Sequence, residues 1–265
     1  MKPSSKRIWG QDESAILWMI RCSQNLWDQQ FMRLLTAKQM SGGYGGADIL
    51  SDCTLDVDRG EICVVVGPNG AGKSTAMKAI FGMIDLRRGS IHLNGSDITS
   101  IQPQDRVRLG MAFVPQTNNV FSSLTVEENL EMGAYLRRDE IKSSLEQVYG
   151  LFSILKKKRK QAAGELSGGQ RQQLAFGRAL MTQPELLMLD EPTAGVSPNV
   201  MDELFDRILE IKETHIGILI VEQNARQALS IADRGYVLVN GENRHTGSGK
   251  SLLENSEVRR SFLGG

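Results

Sequence analysis

The sequence predicts an α/β fold. Two observations carry that prediction: short apolar runs alternate with segments of helical period, and one such run, 62–66, feeds directly into a glycine-rich loop that opens a helix. A third sharpens it, because the apolar run 186–189 ends on two adjacent acids, Asp190 and Glu191.

In chain order, 34–40, 49–57 and 62–66 read as strands, with Asp58-Arg59-Gly60 as the turn between the last two. Helical spacing follows at 73–81, 126–135, 141–155, 169–181, 199–212 and 225–232. Between them lie β-type runs at 112–114, 186–189, 217–221 and 236–240. These runs are apolar almost throughout rather than alternating, which suits parallel strands buried on both faces.

Composition narrows the function. The chain has 265 residues, 40% of them hydrophobic and 23% charged, enough for one large domain or one domain plus a subdomain. Lysine plus arginine and aspartate plus glutamate both number 31, so no long-range field gathers nucleic acid, and any phosphate binding is local. Cys22, Cys53 and Cys63 lack zinc spacing, which fits a reduced, cytosolic compartment. The longest apolar run, 15–20, is far short of the ~20 residues of a membrane helix. Residues 1–31 carry Trp9, Trp18 and Trp27 but no motif with a mechanism. They read as an extension upstream of a start at Met32, poorly ordered or not native; an amphipathic docking helix is the alternative reading.

Gly67-Pro68-Asn69-Gly70-Ala71-Gly72-Lys73-Ser74 fits a phosphate-binding loop in its required strand–loop–helix context. Its glycines let successive N–H groups converge on phosphate oxygens, and the helix N-terminus adds a favourable dipole. Lys73 then reaches the β- and γ-phosphates, Ser74 holds Mg²⁺, and Thr75 continues the cradle. Asp190 emerges from a strand end where it can bind Mg²⁺, and Glu191 beside it is the candidate general base that orients the attacking water. Leu166-Ser167-Gly168-Gly169-Gln170 is a second glycine-bearing turn that opens a helix, which suggests a cradle for a nucleotide held by a partner.

Taken together, the phosphate loop, Gln116 after Phe113-Val114-Pro115, the turn 166–170 and Asp190-Glu191-Pro192 resemble an ATP-binding-cassette (ABC) ATPase over residues 32–265. The resemblance implies a single domain with a RecA-like core, an antiparallel β subdomain and a helical subdomain at about 117–161 that grips transmembrane permeases. It also implies a head-to-tail dimer, homo- or heteromeric, with two ATP molecules, each between the Lys73 loop of one subunit and the Ser167 turn of the other. Tyr44 corresponds to an adenine-stacking aromatic, Gln116 to a glutamine contacting Mg²⁺, and Gln223 stands where a γ-phosphate histidine is usual. Ser197 replaces a common aspartate, which puts cross-talk between the two sites in doubt. The basic run 156–160 reads as a solvated helix end rather than a nucleic-acid patch.

The segment 124–134, Val221-Glu222-Gln223-Asn224-Ala225 and the tail 258–264 resemble the LivF-type ATPases of branched-chain amino-acid uptake. That resemblance implies a peripheral protein on the cytoplasmic face of the inner membrane, paired with a second ATPase and two permeases and served indirectly by a periplasmic binding protein. ATPases of urea and amide importers are similar, and soluble non-transport ABC ATPases form a further alternative.

Overall fold

The computed structural model describes residues 33–117 and 119–262, so the expectations for residues 1–31 lie outside the described residues. Among the described residues, ten strands form two sheets. They are β1 (Arg33–Gly42), β2 (Leu50–Asp58), β3 (Ile62–Val66), β4 (Leu86–Leu93), β5 (Ser96–Asp97), β6 (Met111–Val114), β7 (Leu186–Asp190), β8 (Gly217–Val221), β9 (Arg234–Val239) and β10 (Glu242–Gly247). The larger sheet has the order β10-β9-β3-β8-β7-β6, parallel throughout except for β10; the smaller, β2-β1-β4-β5, is antiparallel.

The parallel strands are apolar at nearly every position because both faces of their sheet are covered. Ile62, Val64 and Val66 of β3 pack with Leu187, Leu189, Ile218 and Ile220 beneath the helices. Cys63 and Val65, one residue out of phase, pack with Met188, Leu219 and Val221 against the smaller sheet. A period of two thus sends alternate residues of one run into two separate cores.

The helices are α1 (Lys73–Ile80), α2 (Pro103–Arg108), α3 (Val126–Gly133), α4 (Lys142–Leu151), α5 (Ser153–Lys157), α6 (Gly168–Leu180), α7 (Pro198–Lys212), α8 (Ala225–Ser230), α9 (Gly249–Glu254) and α10 (Ser256–Phe262). Helix α3 starts at a capping box in which Glu128 N–H donates to Thr125 Oγ1 at 3.2 Å and Thr125 N–H donates to Glu128 Oε2 at 2.7 Å. Val126 N–H donates to Gln161 O at 3.0 Å, closing the base of the segment that holds α3, α4 and α5. Val126, Leu130, Val148, Phe152 and Leu155 of this segment share the core of Leu174 and Phe176 on α6.

The single helix expected over 141–155 is two helices. The chain leaves helical geometry at Phe152 (φ −124°, ψ 75°), whose buried ring meets Phe176 edge-on at 6.4 Å. Tertiary packing of one aromatic overrides local helical preference there. Strands β4, β5 and β10 and helices α2, α9 and α10 have no counterpart among the predicted segments. In β10 the reason is plain: Glu-Asn-Arg-His-Thr-Gly has no apolar face, and the strand exists by pairing with β9 across Asn240 (φ 50°) and Gly241 (φ 80°).

Arg106 of α2 is fully buried and donates to four backbone carbonyls: Ile101 (2.8 Å), Thr99 (2.9 Å), Ile80 (2.6 Å) and Ala79 (3.3 Å). Two of these end α1, so the guanidinium caps the helix that follows the glycine loop. Arg106→Met leaves those carbonyls without their donor and is expected to destabilise the chain by about 3 kcal/mol. That corresponds to a fall in melting temperature of roughly 6–12 °C. A shift below about 2 °C in a thermal melt would show that the carbonyls find other partners.

Candidate functional site

The strand order brings the chemistry together. Strands β3, β8, β7 and β6 are adjacent and parallel, so the residues leaving their carboxyl ends lie side by side: Gly67 after β3, Glu222 and Gln223 after β8, Asp190 and Glu191 at β7, and Gln116 after β6. Register pairs Val65 with Val221, Val221 with Asp190 and Val114 with Leu189, so these ends are level.

The Gly67–Ser74 loop is tightly built. At Gly67 (φ 152°) a Cβ atom would stand 2.1 Å from Leu238 O, so only glycine lets the loop leave β3 there. Gly72 precedes α1 with φ 94° and no side chain caps the helix, which leaves its first N–H groups free for an anion. Pro68, Asn69 and Gly70 are exposed, whereas Ala71, Gly72, Lys73 and Thr75 are buried and Ser74 half-buried. Gly241 N–H donates to Ala71 O at 2.9 Å, so the β9–β10 turn props the loop from below. Sequence reasoning missed this prop, although Asn240-Gly241 is a strong hairpin signal.

Lys73 folds over its own loop, with Nζ donating to Gly67 O at 2.9 Å and Pro68 O at 3.1 Å. Burial lowers its ammonium below the usual lysine range, and Glu191, Asp190 and Glu222 pull against that effect. Ser74 Oγ donates to Asp190 Oδ1 at 2.9 Å, tying loop to strand end. Burial raises the Asp190 carboxyl, opposed by the Ser74 hydroxyl and by Lys78 and Lys73. A hydroxyl and a carboxylate held this close form a hard-oxygen pair that fits Mg²⁺, which takes one or two carboxylates and completes its shell with water and phosphate.

Glu191 adopts φ 47°, in the left-handed region, with its N–H donating to Val221 O at 2.8 Å. Gln116, expected beside the metal, donates through Nε2 to Glu191 Oε2 at 2.6 Å. The pair holds the carboxylate by one oxygen and leaves the other for a water.

The second turn does not join this cluster within one chain. Ser167 caps α6 in a capping box with Gln170: Gln170 N–H donates to Ser167 Oγ and Ser167 N–H to Gln170 Oε1, both at 3.3 Å. Ser167 and Gly168 are exposed, and Gly169 is packed against Val200 of α7. Tyr44 is exposed in the β1–β2 loop, with Lys78 Nζ 5.9 Å from its ring centroid. Gln223 is exposed at the β8 end, and Ser197 is the N-cap of α7 with Pro198 at its first position. Glu222 and Thr193, given no site role from the sequence, are both buried here and hydrogen-bonded to each other. Their apolar flanks gave no signal beyond that of a strand end.

Among known proteins, the family model described as "ABC transporter" matches residues 50–194. A probable branched-chain amino acid transport ATP-binding protein LivF of Archaeoglobus fulgidus is 43% identical over 233 residues, 87% of this chain and 99% of that protein. A high-affinity branched-chain amino acid transport ATP-binding protein, BraG, of Pseudomonas aeruginosa is 41% identical over 88% of this chain and 100% of its own length. Among solved structures, the ADP conformation of an ATP-binding cassette of an ABC transporter superposes with a TM-score of 0.78 at 30% identity, covering 88% of this chain and 100% of that one.

Proposed function

The chain belongs to the ABC transporter family as a nucleotide-binding, ATP-hydrolysing subunit, and we propose that it powers an importer of branched-chain or closely related amino acids. The observation that carries the catalytic part is the junction of Ser74 and Asp190 at 2.9 Å beside a Glu191 held by Gln116. It unites the phosphate loop with an acidic strand end in one buried corner. The names of the two relatives, similar over nearly their whole lengths, support the amino-acid part.

In the proposed cycle Tyr44 stacks on adenine and the N–H groups from Gly67 to Thr75 cradle the phosphates. Lys73 exchanges its two carbonyl partners for β- and γ-phosphate oxygens. Ser74 and Asp190, with Gln116 nearby, would hold Mg²⁺, which would neutralise charge on the transferring phosphoryl group. Glu191 takes the proton of the attacking water, and Gln116 fixes its orientation. Gln223 donates a hydrogen bond toward the γ-phosphate but cannot supply the positive charge of a histidine.

Cassettes of this family work with transmembrane permease components, typically as dimers. Among the described residues no helix is long and apolar enough to cross a membrane. A groove of about 430 Å³ lies between the parallel sheet and the helical segment, with Phe121, Met132, Tyr135 and Leu136 exposed around it. We assign it to a permease segment, residues 32–265 to one cassette domain, and the site of work to the cytoplasmic membrane face. The second nucleotide site of the pair is then completed by Ser167, Gly168, Gly169 and Gln170 from across the dimer.

The test is reconstitution of the chain with its co-encoded ATPase and permeases in proteoliposomes. Leucine-loaded binding protein is expected to raise ATP turnover several-fold. A response to urea or a short amide instead would transfer the subunit to that importer class, and turnover indifferent to the permeases would sink the transport reading.

A further inference from the structure

Glu222 is 2% exposed, yet it carries a carboxylate at the heart of the nucleotide corner. Its backbone N–H donates to Val65 O at 3.1 Å, anchoring it to the strand that feeds the phosphate loop. Its side chain reaches one other loop and folds back on the turn that it opens. Oε1 accepts from Thr193 N–H at 3.0 Å and from Thr193 Oγ1 at 2.8 Å; Oε2 accepts from Gln223 N–H at 3.1 Å. One buried group thus bridges the turn that follows Glu191 and the turn that presents Gln223.

A carboxylate this dry is costly unless its oxygens are satisfied, and here Oε1 takes both donors of Thr193 and Oε2 the N–H of the next residue, Gln223. The cost argues for a purpose that a neutral strand end would not serve. The Thr193 turn leads through Val196 to Ser197 at the start of α7, the stretch that lacks the aspartate usual for contact between paired sites.

We infer that Glu222 is a positioning residue: by holding the Thr193 turn and the Gln223 turn to one another, it makes the placement of Gln223 against the γ-phosphate depend on the placement of residues 193–197. Resting on the assignment of Gln223 to the γ-phosphate, this link supplies inside the chain the cross-talk that Ser197 does not supply from its side chain. Glu222 itself touches no nucleotide. Its influence therefore falls on turnover and not on ATP affinity.

The experiment measures Mg-ATP hydrolysis and Mg-ATP binding by the full chain with its cognate ATPase. Glu222→Gln is nearly isosteric but turns one oxygen into an N–H donor, which faces either the Thr193 donors or Gln223 N–H. It is expected to lower kcat about 10- to 100-fold with KM and Kd for ATP within about threefold of the parent. Thr193→Val removes the hydroxyl donor and is expected to lower kcat less; Thr193→Ser restores it. The double variant Glu222→Gln/Thr193→Val is expected to match Glu222→Gln alone, since both act on one link. Unchanged kcat in Glu222→Gln, additive losses in the double variant, or a parallel loss of ATP affinity would each overturn the inference. If Glu222→Gln does not fold, the Thr193→Val and Thr193→Ser pair decides it by the same kcat criterion. A parent chain that neither binds nor hydrolyses ATP would instead overturn the catalytic reading itself.

Discussion

Replacing Glu191 by glutamine is expected to cut ATP turnover by about three orders of magnitude while leaving ATP binding intact. The geometry separates the two effects. Glu191 makes one side-chain hydrogen bond, to Gln116, and none to the phosphate loop among the described residues, so its replacement breaks no hydrogen bond of the cradle. Glutamine keeps the shape and an acceptor for Gln116 but has no basic oxygen for the proton of water. With hydrolysis stopped, ATP stays bound and the dimer it closes should accumulate. Sedimentation with the cognate partner would reveal it, and normal turnover in Glu191→Gln would remove the glutamate from its assigned role.

Lys73→Ala is expected to weaken Mg-ATP binding at least about 100-fold, measured directly by titration calorimetry. Lys73 is the buried cation set among Glu191, Asp190 and Glu222. Without it those carboxylates face a polyphosphate with no opposing charge, so the loss exceeds that of one hydrogen bond. The ammonium now satisfied by Gly67 O and Pro68 O shows that the side chain already lies over the loop, which makes its transfer to phosphate a short movement. Unchanged affinity would sink the cradle assignment.

Much of this was legible beforehand wherever sequence and environment agree. The runs 62–66 and 217–221 coincide with β3 and β8 because strands buried on both faces have no polar positions to blur their ends. The strand–loop–helix context of the glycine loop and the strand end at Asp190 are likewise readable, since each is a dense local pattern. What escaped depends on partners outside the segment itself. Strand β10 has no apolar signal and depends on its hairpin partner, and the break at Phe152 depends on Phe176 of a helix far along the chain. Glu222 enters the sequence reading only within the segment 221–225, with no role of its own. Its importance comes from Thr193, which only the fold brings beneath it. Gln170 was read as part of a nucleotide cradle, and its side chain is engaged in capping its own helix.

The left-handed backbone at Glu191 has a consequence for how this chain can change. A side chain there costs on the order of 1 kcal/mol relative to glycine, so the conformationally easiest residue at position 191 is one with no carboxylate. Selection for stability alone would drift toward glycine or asparagine at this site, and selection for turnover holds glutamate against that drift. Stability and catalysis are therefore in direct opposition at a single residue, and a thermostabilised descendant chosen without an activity screen would be found to have lost its enzyme first at position 191.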